Sequence, residues 1–182
     1  MPRCVAVALA VLVASGVVTA ADLKSGPQVG ATLPGPFEPL NLNGPDAGDE
    51  SCLYCRYGNV PVVMVFASKP SEKLAKLVGE VEKAAAAAKA EVGACLVVTD
   101  TSAATQTVLK KLADDAKLKA TILSVIDPGK LKDYELAKDA EVTVLLYSRR
   151  VVRINHAFKS GELTDKAIEA VAADAAKHLA GQ

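Results

Sequence analysis

The chain has 182 residues, 51% hydrophobic and 23% charged, with a formal net charge of zero. That length and balance fit one globular domain with a sizeable core, and the lack of any basic excess or acidic block argues against a nucleic-acid surface or a polyanionic tail. Aromatic residues make up only 4% and tryptophan is absent, so neither a base-stacking surface nor an aromatic sugar platform is expected.

The first twenty residues read as a secretory leader. Arg3 supplies the basic start, an apolar run follows over 5–18, and Val18-Thr19-Ala20 offers small residues to a peptidase. The run is short for a membrane span; an uncleaved anchor is the other reading. Cleavage after Ala20 or Ala21 removes Cys4 and leaves an exported protein, periplasmic or extracellular, with Cys52, Cys55 and Cys95. Outside the cytoplasm a close cysteine pair tends to oxidise, which leaves one thiol over.

Residues 21–60 form an irregular segment rich in Gly, Pro, Asn and Asp, with one short strand expected near 39–43, a turn at Asn43-Gly44 and a polar loop over 44–51. The core, 61–182, alternates. A continuous apolar run at 62–66 predicts a strand buried on both faces. Leu74, Leu77, Val78 and Val81 repeat at helical spacing, and the Ala run 84–88 carries that helix to about residue 90. A second buried strand is expected at 94–98 and a second helix on Val108, Leu109, Leu112 and Ala116. A third strand covers 121–126 and ends at Asp127-Pro128-Gly129. Residues 142–147 and 151–155 predict a hairpin turning at 148–150, and Ile168, Val171, Ala172, Ala175 and Leu179 a closing helix. Alternating elements imply parallel crossovers, and the late hairpin adds antiparallel strands. The class is α/β, with helices expected on both faces of a mixed sheet. No internal repeat is visible.

The motif with chemistry is Cys52-Leu53-Tyr54-Cys55, just before the first buried strand. Cys55 lies 13 positions before Ser68, at the strand's far end; at roughly 3.3 Å per residue the strand between spans about 20 Å. Three readings of the pair stay open. It is a working dithiol, tuned by Tyr54 and Arg56 and shielded by Tyr54 and Tyr57; the more exposed sulfur then attacks and the other resolves. Or it is a disulfide that only staples the loop. Or it contributes metal ligands, although zinc wants four and a second Cys-x-x-Cys is missing. Arg56 stands where a covalent haem motif needs histidine. Cys95 reads as a core residue, and His156 and His178 as solvated. Arg149, Arg150 and Arg153 form a small basic patch by the hairpin turn. No metal or other cofactor is expected.

Val29-Gly30, Pro34, Phe37, Leu40 and Asn43-Gly44, with Asn59-Val60-Pro61 ahead of the run at 62–66, resemble the thioredoxin-like superfamily. The resemblance is to its redoxin branch, the alkyl hydroperoxide reductase and thiol-specific antioxidant type, and covers roughly 28–180 as one domain. It implies a three-layer sandwich: a central mixed sheet, a late antiparallel hairpin and helices on both faces. It also implies thiol-disulfide chemistry with a protein thiol or disulfide partner, without nucleic acid and, once the leader is gone, without a membrane. The usual reactive site falls on Ser68-Lys69-Pro70-Ser71, where both sulfurs are replaced by hydroxyls. The position of the family's cis-proline falls on Val142, followed by Thr143. A serine forms neither a disulfide nor a sulfenic acid and is a poor nucleophile without a base, so peroxidase activity by the family's mechanism is not expected. Ser68 then serves as a helix cap and Pro70 as a first-turn residue. The alternative to redox function is a non-catalytic fold of this kind that binds a partner or serves structurally.

Overall fold

The computed structural model describes residues 23–180; the expected leader, with Cys4, lies outside them. The elements run β1 (Leu40–Asn41), α1 (Leu53–Tyr57), β2 (Val62–Ala67), α2 (Glu72–Ala86), β3 (Gly93–Val98), α3 (Ala103–Asp115), β4 (Thr121–Val125), a 3-10 helix (Pro128–Tyr134), β5 (Val142–Ser148), β6 (Val151–Phe158) and α4 (Asp165–Ala180). The sheet order is β1-β4-β3-β2-β5-β6. β2, β3 and β4 are parallel, while β5 and β6 form the antiparallel hairpin beside β2 and β1 caps the far edge.

β2 is the axis. All six of its residues are buried, because it pairs with β3 on one side and β5 on the other and both its faces are covered. Alternation along the strand sorts the core into two halves. Val63, Val65 and Ala67 face a cluster completed by Leu77, Val81, Leu109, Ile168 and Val171. Val62, Met64 and Phe66 face a cluster completed by Leu53, Phe37, Cys95, Tyr134 and Tyr147. The three long helices α2, α3 and α4 thus all lie on the first face. The second is closed by short pieces: α1, the N-terminal segment and the 3-10 helix. There Tyr134 packs edge-on against Phe37, with ring centroids 5.2 Å apart.

Several element boundaries differ from the sequence reading. α2 stops at Ala86: Ala85 is the last buried residue of the helix, and propensity alone does not hold a helix end. Val108 is 51% exposed; α3 turns Thr105, Leu109 and Ala113 inward instead. β6 runs on to Phe158 because β5 offers it a partner at Val142. A 3-10 helix over Pro128–Tyr134 stands where the sequence shows only a strand end. Pro128 starts it, the Asp127 carboxylate accepts the Gly129 N–H, and Leu131 and Tyr134 bury into the second face. Among the described residues no helix is long and apolar enough to cross a membrane.

Glu82 ties the long-helix face to the sheet. Its carboxylate accepts the backbone N–H groups of Lys119, Ala120 and Thr121 at 2.8–3.1 Å, fixing the chain as it enters β4. Partial burial raises its pKa, but these hydrogen bonds outweigh that and hold it below the usual carboxylate value. A depressed folded-state pKa contributes stability that is complete above the unfolded value near 4.5 and is lost as pH falls through the folded one. Glu82→Ala is expected to cost about 2 kcal/mol at neutral pH. Urea unfolding at a series of pH values checks this: the gap between wild type and variant should narrow on acidification below pH 4.5.

Candidate functional site

Cys52 and Cys55 are joined in a disulfide, with Cα atoms 5.2 Å apart. They do not lie in an irregular loop, as the Gly- and Asp-rich surroundings led us to expect. Cys52 is the N-cap of α1: its backbone is extended and its sulfur accepts the Cys55 N–H at 3.0 Å. A five-residue helix is too short to persist on propensity. Burial holds it instead. Leu53 is fully buried in the second core cluster. Tyr57 donates its hydroxyl to the Ala94 carbonyl at 2.9 Å, and its ring lies flat over Gly93, where an added Cβ would meet ring carbons at 2.5 Å. Burial pushes the Tyr57 phenol far above its ordinary pKa. Tyr57 is therefore an anchor and not a cover for the disulfide.

Gly93 begins β3 and pairs with Val62 at the start of β2. The pair thus sits at the strand-start end of the sheet. The cysteines differ in access: Cys55 is exposed and Cys52 half-buried. Arg56 forms an ion pair with Asp46 at 2.7 Å, and Asp46 also accepts from Ser51, which accepts from Asn41. The cation beside the motif is instead Arg150, whose guanidinium lies 4.5 Å from the centre of the Tyr54 ring. The basic patch expected at the hairpin is accordingly divided. Arg150 turns toward α1, whereas Arg153 stands near enough to His178 on α4 to help burial lower that histidine's pKa.

The other end of β2 carries the hydroxyls. Ser68 is exposed and stands outside α2. Ser71 is the N-cap, accepting the Leu74 N–H at 3.1 Å, and Pro70 precedes it. The expectation that Ser68 caps the helix and Pro70 fills its first turn is thus corrected. Ser71 is the hydroxyl spaced to meet the N–H of Leu74, the first buried residue of the helix's apolar stripe. Val142 opens β5, and no cis peptide bond occurs among the described residues. Thr143 is buried and shares a 2.6 Å hydrogen bond with Ser25, which also accepts the Ala137 N–H. A cleft of about 360 Å³ opens here, lined by Phe66, Ser68, Leu131, Leu136, Glu141 and Thr143. It contains no sulfur.

Cys95 is wholly buried on β3, and burial alone pushes its thiol pKa far up, as for an inert core residue. His156 meets Asp174 at 2.9 Å, and His178 contacts the Tyr147 carbonyl at 2.9 Å. Among the described residues no three His, Cys, Asp or Glu side chains gather as a metal-ligand set.

No family model and no curated protein matches the chain. Solved structures do. A thiol peroxidase from Chromobacterium violaceum superposes with a TM-score of 0.56 at 13% identity, over 82% of this chain and 88% of its own. A secreted Mycobacterium tuberculosis disulfide oxidoreductase, homologous to E. coli DsbE, gives 0.55 at 12% identity over 76% and 95%. The thioredoxin domain of a thiol-disulfide oxidoreductase from Bacteroides vulgatus gives 0.54 at 15% identity over 79% and 98%. The fold is thioredoxin-like. At these identities the likeness is one of fold, and the chemistry must be argued from this chain's own residues.

Two comparisons check the local geometry. Ser71→Ala should lose about 1 kcal/mol of stability, while Ser68→Ala leaves the denaturation midpoint unchanged. Gly93→Ala forces the Tyr57 ring to move and should cost about 1–3 kcal/mol. Pairing it with Tyr57→Ala removes the clash, so the double variant should lose less than the sum of the single losses.

Proposed function

We propose that this protein is an exported thiol-disulfide oxidoreductase whose working pair is Cys52–Cys55, at the opposite end of β2 from the fold's usual site. The observation that carries this reading is the unequal environment of the two sulfurs. Cys55 is an exposed residue, while Cys52 is half-buried and its sulfur is held by the Cys55 N–H at 3.0 Å. A partner's thiolate attacks the reachable sulfur of Cys55. The S–S bond breaks and its electron pair leaves on the Cys52 sulfur, where the amide hydrogen bond stabilises the thiolate. A second thiolate of the partner then attacks the partner's own sulfur in the mixed disulfide. It releases the Cys55 thiolate and leaves the partner oxidised and the pair reduced. The reverse sequence reduces a partner disulfide. Export is the compartment in which such a pair meets its oxidant, and the leader-like residues 1–20 support it.

The staple reading has its own supporting observation. The disulfide closes a helix whose Leu53 is fully buried and whose Arg56 is tied to Asp46, so a purely mechanical role is served by the same contacts. Equilibration in glutathione and dithiothreitol buffers, with alkylated thiols counted by mass spectrometry, separates the two. An oxidoreductase pair is expected above about −270 mV, and a bond below about −300 mV is structural.

Single replacements test the order of attack. Cys52→Ser should accumulate a mixed disulfide at Cys55 with a small thiol or a partner, whereas Cys55→Ser should trap far less. Equal trapping by both refutes the assigned roles. The Cys52→Ser, Cys55→Ser double variant should lose about 2 kcal/mol of loop-closure stabilisation and also its insulin-reducing or partner-exchange activity. Loss of stability alone marks a staple.

A further inference from the structure

Resting on the redox reading of the Cys52–Cys55 pair, we infer that the turn between β5 and β6 is its recognition element, and that the partner presents its cysteine within an acidic peptide segment. The turn is built against α1. The Arg149 N–H donates to the Asn59 carbonyl at 3.1 Å, just past the end of α1, and the Arg150 carbonyl accepts the Leu33 N–H at 2.8 Å. Arg150 stacks its guanidinium on Tyr54, the residue immediately before Cys55. Arg149 stands exposed beside it.

Charge bookkeeping gives the sign of the partner. Arg56 is matched by Asp46 and Lys130 by Glu50, so two of the three carboxylates on the loop before α1 are already paired, leaving Asp49. Neither Arg149 nor Arg150 forms an ion pair with a carboxylate among the described residues, and the Arg150 Nε is buried without a hydrogen-bond acceptor. A guanidinium lying over an aromatic ring is partly desolvated, which strengthens its attraction for an arriving anion. No ion pair among the described residues engages its terminal nitrogens, and their fork suits the two oxygens of a carboxylate. This surface belongs to the strand-start end of the sheet, away from the cleft at Ser68 and Thr143. An acidic segment beside the attacking thiolate is thus drawn to the turn as its sulfur meets Cys55, and the exchange itself is the balanced step already given.

The test uses three end-blocked tripeptide thiols, Glu-Cys-Glu, Ser-Cys-Ser and Lys-Cys-Lys, as reductants of the oxidised protein. Each rate is divided by the same peptide's rate with hydroxyethyl disulfide, which removes differences in thiolate fraction and nucleophilicity. At low ionic strength the normalised rate for the acidic peptide should exceed that for the basic one by about tenfold or more, the lower end of electrostatic steering, and the excess should collapse at high salt. Arg149→Glu, at an exposed position, should abolish or invert the preference. Arg150→Gln should weaken it more than Arg150→Lys, which keeps the charge but loses the stacked fork and should retain only part of it. A structural role for these side chains moves none of these ratios. A wild-type ratio near one, or a ratio unchanged by Arg149→Glu, overturns the assignment of the turn while leaving the redox pair standing. A native disulfide that none of the three peptides opens, although dithiothreitol opens it after unfolding, overturns the redox reading and the recognition surface with it.

Discussion

β2 is buried along its whole length, and everything chemical about this molecule follows from that constraint. A strand flanked by β3 and β5, and covered on both faces, has room only for apolar side chains. Reactive groups can stand only where it begins or where it ends. In this chain the sulfurs are at its beginning and the hydroxyls of Ser68 and Ser71 follow its end. The central strand thereby separates the cleft at Ser68 and Thr143 from the Cys52–Cys55 disulfide.

The two faces of the sheet are built differently, and this explains how a short helix can carry the sulfurs. On one side three long helices make a continuous cover, to which the N-terminal segment adds Leu40 and Leu42. On the other side the cover is assembled from fragments, each fixed by a few buried side chains: Phe37, Leu53, Leu131 and Tyr134. α1 exists because Leu53 and Tyr57 fill places in that cover. The disulfide is consequently attached to the core through its neighbours in sequence, so a change at Gly93, remote in the chain, reaches the disulfide through the Tyr57 ring.

The long periodic elements were legible in the sequence because burial on one stripe or on both faces imposes a pattern that survives without context. Strands β2 to β5, helices α2 and α4 and the hairpin turn are all of this kind. α1 was not legible: five residues contain no full period, and its cap is a cysteine rather than an ordinary capping residue. The choice of Ser71 over Ser68 as cap depends on which hydroxyl meets the N–H of Leu74. Arg150 could be assigned to a basic patch but not to Tyr54, since their meeting depends on the whole fold closing. The sequence also pointed to Arg56 as the tuning cation, and Asp46 claims it.

The turn at 148–151 has one more consequence. Arg149 and Arg150 both adopt positive φ, 52° and 64°, as the tight two-residue connection of a right-twisted hairpin requires. Asparagine and glycine occupy such places comfortably, whereas each long side chain there carries a steric penalty of about 1–2 kcal/mol. An Asn-Gly replacement is accordingly a more heat-resistant molecule with its cations gone. Selection for thermal robustness alone would erase this pair of arginines, so laboratory stabilisation of the protein and preservation of the proposed preference for an acidic partner pull in opposite directions at these two positions.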